Sequence, residues 1–183
     1  MNAGAHLADA LAAEHDALAA ILAGEPAREQ LIHARDAYLA SHAETGERSW
    51  GRLIGALKMA VLAGDGDQEI AREALAETHG VTGSPAAAYA SALAAVVSGE
   101  QPDVGELLEA GDAFARTGRA LAALANGDRV AYGAALAEIV DDFASRETHL
   151  ADVPVADTAL VLERLAAARG MAARPDSRMV PVY

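Results

Sequence analysis

Apolar residues along this chain recur with the three-to-four-residue spacing that places side chains on one face of an α-helix. One such face comprises Leu53, Ile54, Leu57, Val61 and Leu62. The segment 86–97 is almost wholly apolar, but a dozen residues is fewer than the roughly 20 that a helix needs to cross a bilayer. We therefore expect this segment to form the most buried helix of a helical bundle.

Proline and glycine divide this pattern into eight predicted helices. Four prolines stand where apolar runs begin, at Pro26, Pro85, Pro102 and Pro154, and proline is tolerated in the first helical turn. Six glycines stand where such runs end, at Gly24, Gly64, Gly80, Gly99, Gly127 and Gly170. Ser84 is expected to cap the fifth helix. The predicted helices are 3–23, 26–44, 47–63, 67–79, 85–98, 102–125 with a break near Gly111 or Gly118, 128–146 and 154–169.

Four similar stretches, each an alanine-rich helix end followed by glycine and an acidic residue, link successive helices. They begin at Ala17, Ala56, Ala92 and Ala120, at separations of 39, 36 and 28 residues, near the period of helix-pair repeats. The four stretches are either copies of one repeated unit or chance matches in an alanine-rich chain. Both explanations predict the same all-α architecture of stacked antiparallel hairpins. We expect a single domain over 1–170. Because prolines interrupt 171–183, we expect that segment to be an extended tail packed on the domain.

Charge and composition narrow the function classes. The 27 acidic residues exceed the 14 basic ones and give a formal charge of −13, so a surface that neutralises nucleic-acid phosphates is not expected. The chain has no cysteine, which favours a cytoplasmic protein. The first 22 residues lack a basic start and contain Asp9, Glu14 and Asp16. We therefore expect neither a signal peptide nor a membrane helix.

Residue types that carry catalysis are present but not at the required spacing. The histidines are His6, His15, His33, His42, His79 and His149, and no Glu-x-x-His or His-x-x-x-His occurs. Three pairs have His-x-x-Asp spacing, and we interpret them as i, i+3 pairs on solvated faces. The turn 64–67 lacks the residues of a calcium or phosphate loop, and no Gly-x-Ser-x-Gly occurs. We predict no catalytic residues, no metal and no cofactor.

Unbalanced acidic residues are the most informative surface feature. They recur at helical spacing in two sets, Asp65, Glu69, Glu73 and Glu77 in the fourth helix and Asp103, Glu106, Glu109 and Asp112 in the sixth. Like charges at these spacings cost roughly 0.2–0.5 kcal/mol per pair, and only Arg72 and Arg116 lie near enough along the chain to compensate. The two sets are either solvated faces or the docking surface for a basic partner. We assign them as the candidate partner-binding residues.

Aromatic and arginine side chains suggest a second candidate surface. It comprises His33, Arg35, Asp36 and Tyr38 of the second helix and Arg48, Ser49, Trp50 and Arg52 at the start of the third. A lone tryptophan in a small domain is more often part of the core, so both placements of Trp50 stay open.

The C-terminal third resembles a known family. The residues that carry the resemblance are Asp128-Arg129, Tyr132, Ala135-Leu136, Phe143, Asp157-Thr158-Ala159-Leu160, 165–170, Ser177 and Pro181. Over 120–181 they are similar to the end of the helical immunity proteins that form the forty-ninth immunity family of bacterial polymorphic toxin systems. The resemblance implies an α-helical antitoxin that occludes a cognate toxin, and it carries over no catalytic residues.

Three functions remain in competition. The first is a non-enzymatic protein-binding domain, specifically an immunity protein that neutralises a basic toxin through its acidic helical face. The second is a scaffold or adaptor similar to tetratricopeptide arrays, or a homo-oligomer. The third is a small-molecule or metal-dependent helical enzyme, which a deep pocket with convergent His, Asp and Glu side chains would favour.

Overall fold

The computed structural model of this protein describes residues 2–45, 49–149 and 152–181. The described residues form nine α-helices and no β-strand, which confirms the all-α prediction. The helices are α1 Ala3–Ala23, α2 Arg28–Glu44, α3 Trp50–Ala63, α4 Asp67–Thr78, α5 Pro85–Ser98, α6 Gly105–Glu109, α7 Asp112–Ala125, α8 Arg129–Ala144 and α9 Asp157–Ala168. None of them is both long and apolar enough to cross a bilayer.

The predicted helix ends are confirmed at most positions. All six glycines predicted to end helices have a positive φ. At Gly24, where φ is 72°, the backbone N–H donates to the last turn of α1, a geometry that side chains with a Cβ disfavour. Ser84 caps α5 by accepting a hydrogen bond from the Ala87 N–H at 3.3 Å. The glycines that end these helices and the serine that caps α5 therefore determine the helix boundaries.

Three predicted helix starts are wrong by two or three residues. Pro26, Pro102 and Pro154 precede α2, α6 and α9 instead of occupying their first turns, because proline is equally compatible with the extended residues before a helix. The predicted third helix begins at Trp50 in the structure, and its first expected residues, 47 and 48, lie outside the described residues.

The predicted sixth helix is two helices, α6 and α7, that meet at Gly111. Gly111 has a φ of 101° and precedes α7. Gly118 lies inside α7 instead, where a Cβ would be 3.0 Å from the Cβ of Leu107 in α6. The break is therefore at the first of the two predicted positions, and the second glycine allows α6 to fold closely onto α7.

Consecutive helices pack side by side, and α3 and α5 occupy the centre. Helix α3 contacts α2, α4, α5 and α9, while α5 contacts α3, α4, α6 and α7. Fully buried alanines line these interfaces, among them Ala10, Ala17, Ala34, Ala56, Ala60 and Ala94. Small side chains at a helix contact allow a short interaxial distance, so the alanine-rich composition produces a tightly packed bundle around α5, as the apolar run predicted.

The second candidate surface is wrong for Tyr38, and Trp50 has the core placement that is usual for a lone tryptophan. Tyr38 is buried in the interface of α2 with its neighbours, and Trp50 is buried at the start of α3. Arg35 is largely buried too, because it donates to the carbonyl and the carboxylate of Asp65 in the α3–α4 turn. Arg48 lies outside the described residues. These side chains hold helices together and do not form one exposed face.

The residues after α9 return along the bundle. Met171 and Val180 are buried, and the Ala156 N–H donates to the Met179 carbonyl at 2.8 Å. Glu163 of α9 accepts hydrogen bonds from the backbone N–H groups of Ala173 and Arg174. The last two residues of the predicted tail, 182 and 183, lie outside the described residues.

Candidate functional site

The four acidic residues predicted around α4 share one side of the molecule but differ in their partners. Asp65 accepts from Arg35 at 2.9 Å, and Glu77 lies 2.8 Å from the Nε2 of His42. Glu69 and Glu73 are exposed, and among the described residues neither has an ion pair. The middle of this set therefore has no ion pair, whereas Asp65 pairs with an arginine of α2 and Glu77 contacts a histidine of α2.

The second acidic set does not form a stripe on one helix. Asp103 precedes α6 and accepts from the Gly105 N–H, Glu106 and Glu109 lie on α6, and Asp112 begins α7. The predicted i, i+3 stripe is wrong because the chain bends at Gly111. Arg116, which the sequence suggested as compensation for this set, instead pairs with Asp142 of α8.

The predicted His-x-x-Asp pairs do not form. His33 lies 3.0 Å from Asp9 of α1, and Asp36 accepts from Arg35. His6 lies 3.4 Å from Glu44 of α2. His6 and His33 therefore contact acids of a neighbouring helix instead of the aspartate three residues further along. Within the described ranges, no three His, Asp or Glu side chains are arranged to hold a metal ion.

Seven parts of the fold converge on one cavity of about 210 Å³. Its walls come from α1, α3, α5, α7, α8, α9 and the connection between α8 and α9. The charged side chains that line it are Glu14, Lys58, Arg116, Asp142, Arg146 and Asp157. The apolar side chains that line it include Leu18, Phe114, Ile139, Phe143, Val153 and Val155. The cavity thus combines equal numbers of acids and bases, although acids outnumber bases almost two to one in the whole chain.

The deeper part of the cavity contains a buried cation and its partners. Lys58, the only lysine of the chain, donates from Nζ to Asp157 Oδ2 at 2.7 Å and to Thr158 Oγ1 at 2.9 Å. Its ammonium also lies 5.6 Å from the centroid of the Tyr89 ring. Burial alone lowers the pKa of Lys58, but the charge and hydrogen bond of Asp157, together with Tyr89 and Glu14, raise it overall. Lys58 is therefore a fixed cation.

A second buried group, Glu14 of α1, lies beside this pair. It is 3% exposed and accepts a short hydrogen bond from the phenol of Tyr38. Burial raises the pKa of Glu14, and the hydrogen bond from Tyr38 only partly offsets that effect. Burial and the neighbouring carboxyl likewise raise the pKa of Tyr38, which remains a phenol and a donor.

Two arginines stand at the more exposed part of the cavity. Arg116 Nη2 donates to Asp142 Oδ1 at 2.5 Å, and Arg146 Nη2 donates to the other oxygen at 2.5 Å. The Arg146 guanidinium lies 3.9 Å from the Phe143 ring centroid, and His149 stacks on that ring. The Nδ1 of His149 is buried and has no hydrogen-bond partner among the described residues, an arrangement that costs roughly 1–3 kcal/mol.

Sequence reasoning missed this cavity. Its residues are separated by up to 144 positions, from Glu14 to Thr158, and among its charged side chains only Asp142 and Arg146 form a local i, i+4 pair. One signal was present: Lys58 interrupts the otherwise apolar stretch 53–63 between Leu57 and Met59, and a charge in a core segment requires a buried partner.

Comparisons of the chain with protein-family models, with curated proteins and with solved structures find no match. The resemblance of the C-terminal third to immunity proteins therefore stays a prediction. The function has to be argued from the geometry of the cavity and of the acidic surface.

Proposed function

We propose that this protein binds a small organic molecule in the cavity between α1, α3, α5, α7, α8 and α9. The observation that carries the proposal is the convergence of six charged side chains from distant parts of the chain on one cavity. Burying ions costs free energy that apolar residues of the same size would avoid. Charged groups with perturbed pKa values in a cleft are typical of functional sites.

The size and lining of the cavity fit such a ligand. One water molecule requires roughly 10–15 Å³, and the cavity of about 210 Å³ is many times larger. Apolar and aromatic walls with a few placed polar groups are the usual composition of small-molecule sites. Lys58 is a cation rather than a nucleophile, because its pKa is raised and its Nζ is occupied by Asp157. These features favour reversible binding over covalent catalysis through Lys58.

Ala113 provides a direct test. It is exposed in the first turn of α7 and lines the cavity, so Ala113→Trp obstructs the site without removing a buried contact. Ala137→Trp, on an exposed position of α8 outside the cavity lining, is the matched control. Ligand-detected NMR with benzoate, benzamide, benzyl alcohol and benzylamine measures binding. We expect at least one probe to bind wild type and Ala137→Trp but not Ala113→Trp.

The opposite results would overturn the proposal. If none of the four probes binds the wild-type protein, the cavity is not a site for molecules of this size. If Ala113→Trp binds a probe as well as wild type does, the binding occurs elsewhere on the molecule. Circular dichroism of the two tryptophan variants establishes that both are folded.

We also propose that the exposed face of α4 binds a basic protein partner, for which the family resemblance implies a toxin. Glu69 and Glu73 support this proposal because they are exposed and lack an ion pair among the described residues, whereas Asp65 pairs with Arg35 and Glu77 contacts His42 of α2. A negative field steers a basic partner toward the face and makes the affinity fall as salt rises.

The experiment for this surface is affinity purification from the native host at low and high salt. We expect a basic protein to be retained at low salt by wild type and by Asp141→Asn/Glu147→Gln, which removes two exposed charges elsewhere. Glu69→Gln/Glu73→Gln should lose it. Equal retention by the two double variants, or retention that salt does not reduce, would contradict a role for α4.

A further inference from the structure

The cavity of the proposed function contains a guanidinium pair that points to the chemical class of its ligand. We propose that the site selects small organic monocarboxylates, with the carboxylate held by Arg116 and Arg146 and the apolar body against the aromatic and aliphatic wall. This inference rests on the proposed small-molecule site. It adds the charge and shape of the molecule that the site prefers.

Asp142 holds the two guanidinium groups at the cavity but does not neutralise both. Each of its carboxylate oxygens accepts from one arginine, at 2.5 Å in both cases. One negative charge between two positive charges leaves one unit of positive charge there. The whole chain has a formal charge of −13, so the charge at the more exposed part of the cavity is opposite to that of the protein as a whole.

The two arginines retain donors for a further anion. A guanidinium has five N–H donors. Within the described part of the chain, Arg116 uses one donor and Arg146 uses two, all on Asp142. The planar N–H fork of arginine matches a carboxylate with two parallel hydrogen bonds. Packing of Arg146 on the Phe143 ring at 3.9 Å restricts its orientation, which reduces the entropy lost on binding.

His149 forms part of the cavity wall in the same region. The ring is fixed by stacking on Phe143 with an interplanar angle of 16°. Its Nδ1 is buried and out of reach of the cavity, so His149 supplies a rigid aromatic surface and not a polar contact to the carboxylate.

The charge balance at the two arginines favours one negative charge on the ligand. Lys58 and Asp157 form a neutral pair, and the Arg116–Asp142–Arg146 group carries one positive charge. A monoanion compensates that charge, whereas a dianion such as a phosphate monoester leaves one negative charge without a partner there.

The rest of the wall is apolar, so the remainder of the ligand should be apolar as well. Leu18, Phe114, Ile139, Val153 and Val155 line the cavity on α1, α7, α8 and the connection to α9. Phe114 makes an edge-to-face contact with Tyr89 at a centroid distance of 6.5 Å. A small aromatic or branched aliphatic acid combines such a body with one carboxylate.

Isothermal titration calorimetry with benzoate, benzamide and phenyl phosphate tests the inference. We expect benzoate to bind wild type at least about tenfold more tightly than the neutral isostere benzamide, because two charge-assisted hydrogen bonds distinguish them. Phenyl phosphate, a dianion near pH 7.5, should bind more weakly than benzoate. Arg116→Met should reduce benzoate affinity to that of benzamide and leave benzamide affinity unchanged.

Arg119→Met is the matched control, since Arg119 lies on the same helix and pairs with Glu138 outside the cavity lining. It should leave benzoate affinity unchanged. Arg116→Lys retains the positive charge but cannot donate two parallel hydrogen bonds, so it should bind benzoate with intermediate affinity. That result would show that Arg116→Met weakens binding by removing contacts to the carboxylate and not by disturbing the fold. Equal affinities for benzoate and benzamide, tighter binding of phenyl phosphate, or no effect of Arg116→Met would overturn the carboxylate inference while the small-molecule site stands. Failure of every probe would overturn the site itself.

Discussion

The ammonium of Lys58 lies 2.7 Å from the carboxylate of Asp157 and joins α3 to α9 across 99 positions of sequence. Both side chains are largely buried, at 11% and 14% exposure. The pair therefore connects the middle of the chain to its last helix at the deepest charged part of the cavity. Thr158 lies on α9 as well and Tyr89 lies on α5, so Lys58 contacts side chains of two further helices.

Removing the cation from this pair should strongly destabilise the fold. Lys58→Met leaves Asp157 buried and unpaired, and we expect the free energy of unfolding to fall by about 3–5 kcal/mol. Urea unfolding followed by circular dichroism measures the change. Lys58→Met/Asp157→Asn removes both charges and should recover most of the loss.

The exposed pair on α7 and α8 is the control for that experiment. Arg119 and Glu138 are about half exposed, so Arg119→Met should cost less than about 1 kcal/mol. A similar small cost for Lys58→Met would show that the buried pair does not hold α3 to α9.

Glu14 should make stability depend on pH in a defined direction. Burial raises its pKa above the ordinary value of 4.5, so the folded protein binds this proton more tightly than the unfolded chain does. The contribution to stability is therefore complete below about pH 4.5 and declines as pH rises through the raised pKa. Relative to Glu14→Gln, which does not titrate, wild type should lose stability as the pH rises above 4.5.

Urea titrations of the two proteins at several pH values measure this difference, and groups common to both cancel. The variant retains an amide oxygen that can accept the hydrogen bond from Tyr38. The comparison therefore measures only the effect of proton binding at Glu14. A difference in free energy of unfolding that stays constant, or that favours wild type as pH rises, would contradict a protonated Glu14 in the fold.

Gly55 is expected to be intolerant of a side chain. A Cβ at this position would lie 2.9 Å from the ring of Tyr38, and that ring is fixed by burial and by its hydrogen bond to Glu14. We expect Gly55→Ala to destabilise the protein by about 1–3 kcal/mol through overpacking.

Gly51 on the same helix is the matched control, because a Cβ there meets nothing within 4 Å. Gly51→Ala should be neutral or stabilise the protein by up to about 1 kcal/mol through helix propensity. Thermal melts of both variants distinguish the two positions. Equal melting temperatures would show that the Tyr38 ring can move away at little cost.

Much of the fold could be predicted from the sequence because its helix ends are marked by local chemistry. Gly24 and Gly99 end helices through their own backbone conformation, and Ser84 caps α5 through its own side chain. Proline was less informative. Pro26 and Pro154 fix only their own φ, which is compatible with both the first turn and the residues before it, so α2 and α9 begin later than predicted.

The site could not be predicted in the same way, because tertiary contacts determine it. Arg116 was expected to compensate acidic neighbours along its own helix, yet it pairs with Asp142 across the α7–α8 interface. Lys58 and Asp157 have no relation in sequence. The spacing of residues along the chain predicts which side chains share a helix face. It does not predict which faces contact one another, because that depends on how the seven elements pack.

The central claim is that the cavity binds a small monocarboxylate, and an amide-detected NMR titration with benzoate tests it most directly. The account predicts saturable shifts concentrated at Thr117, Phe143 and Thr158, which line the cavity on three different helices. It also predicts little change at Glu69 and Glu73 on the exposed face of α4. Shifts confined to α4, or no saturable shift at the cavity residues, would contradict it.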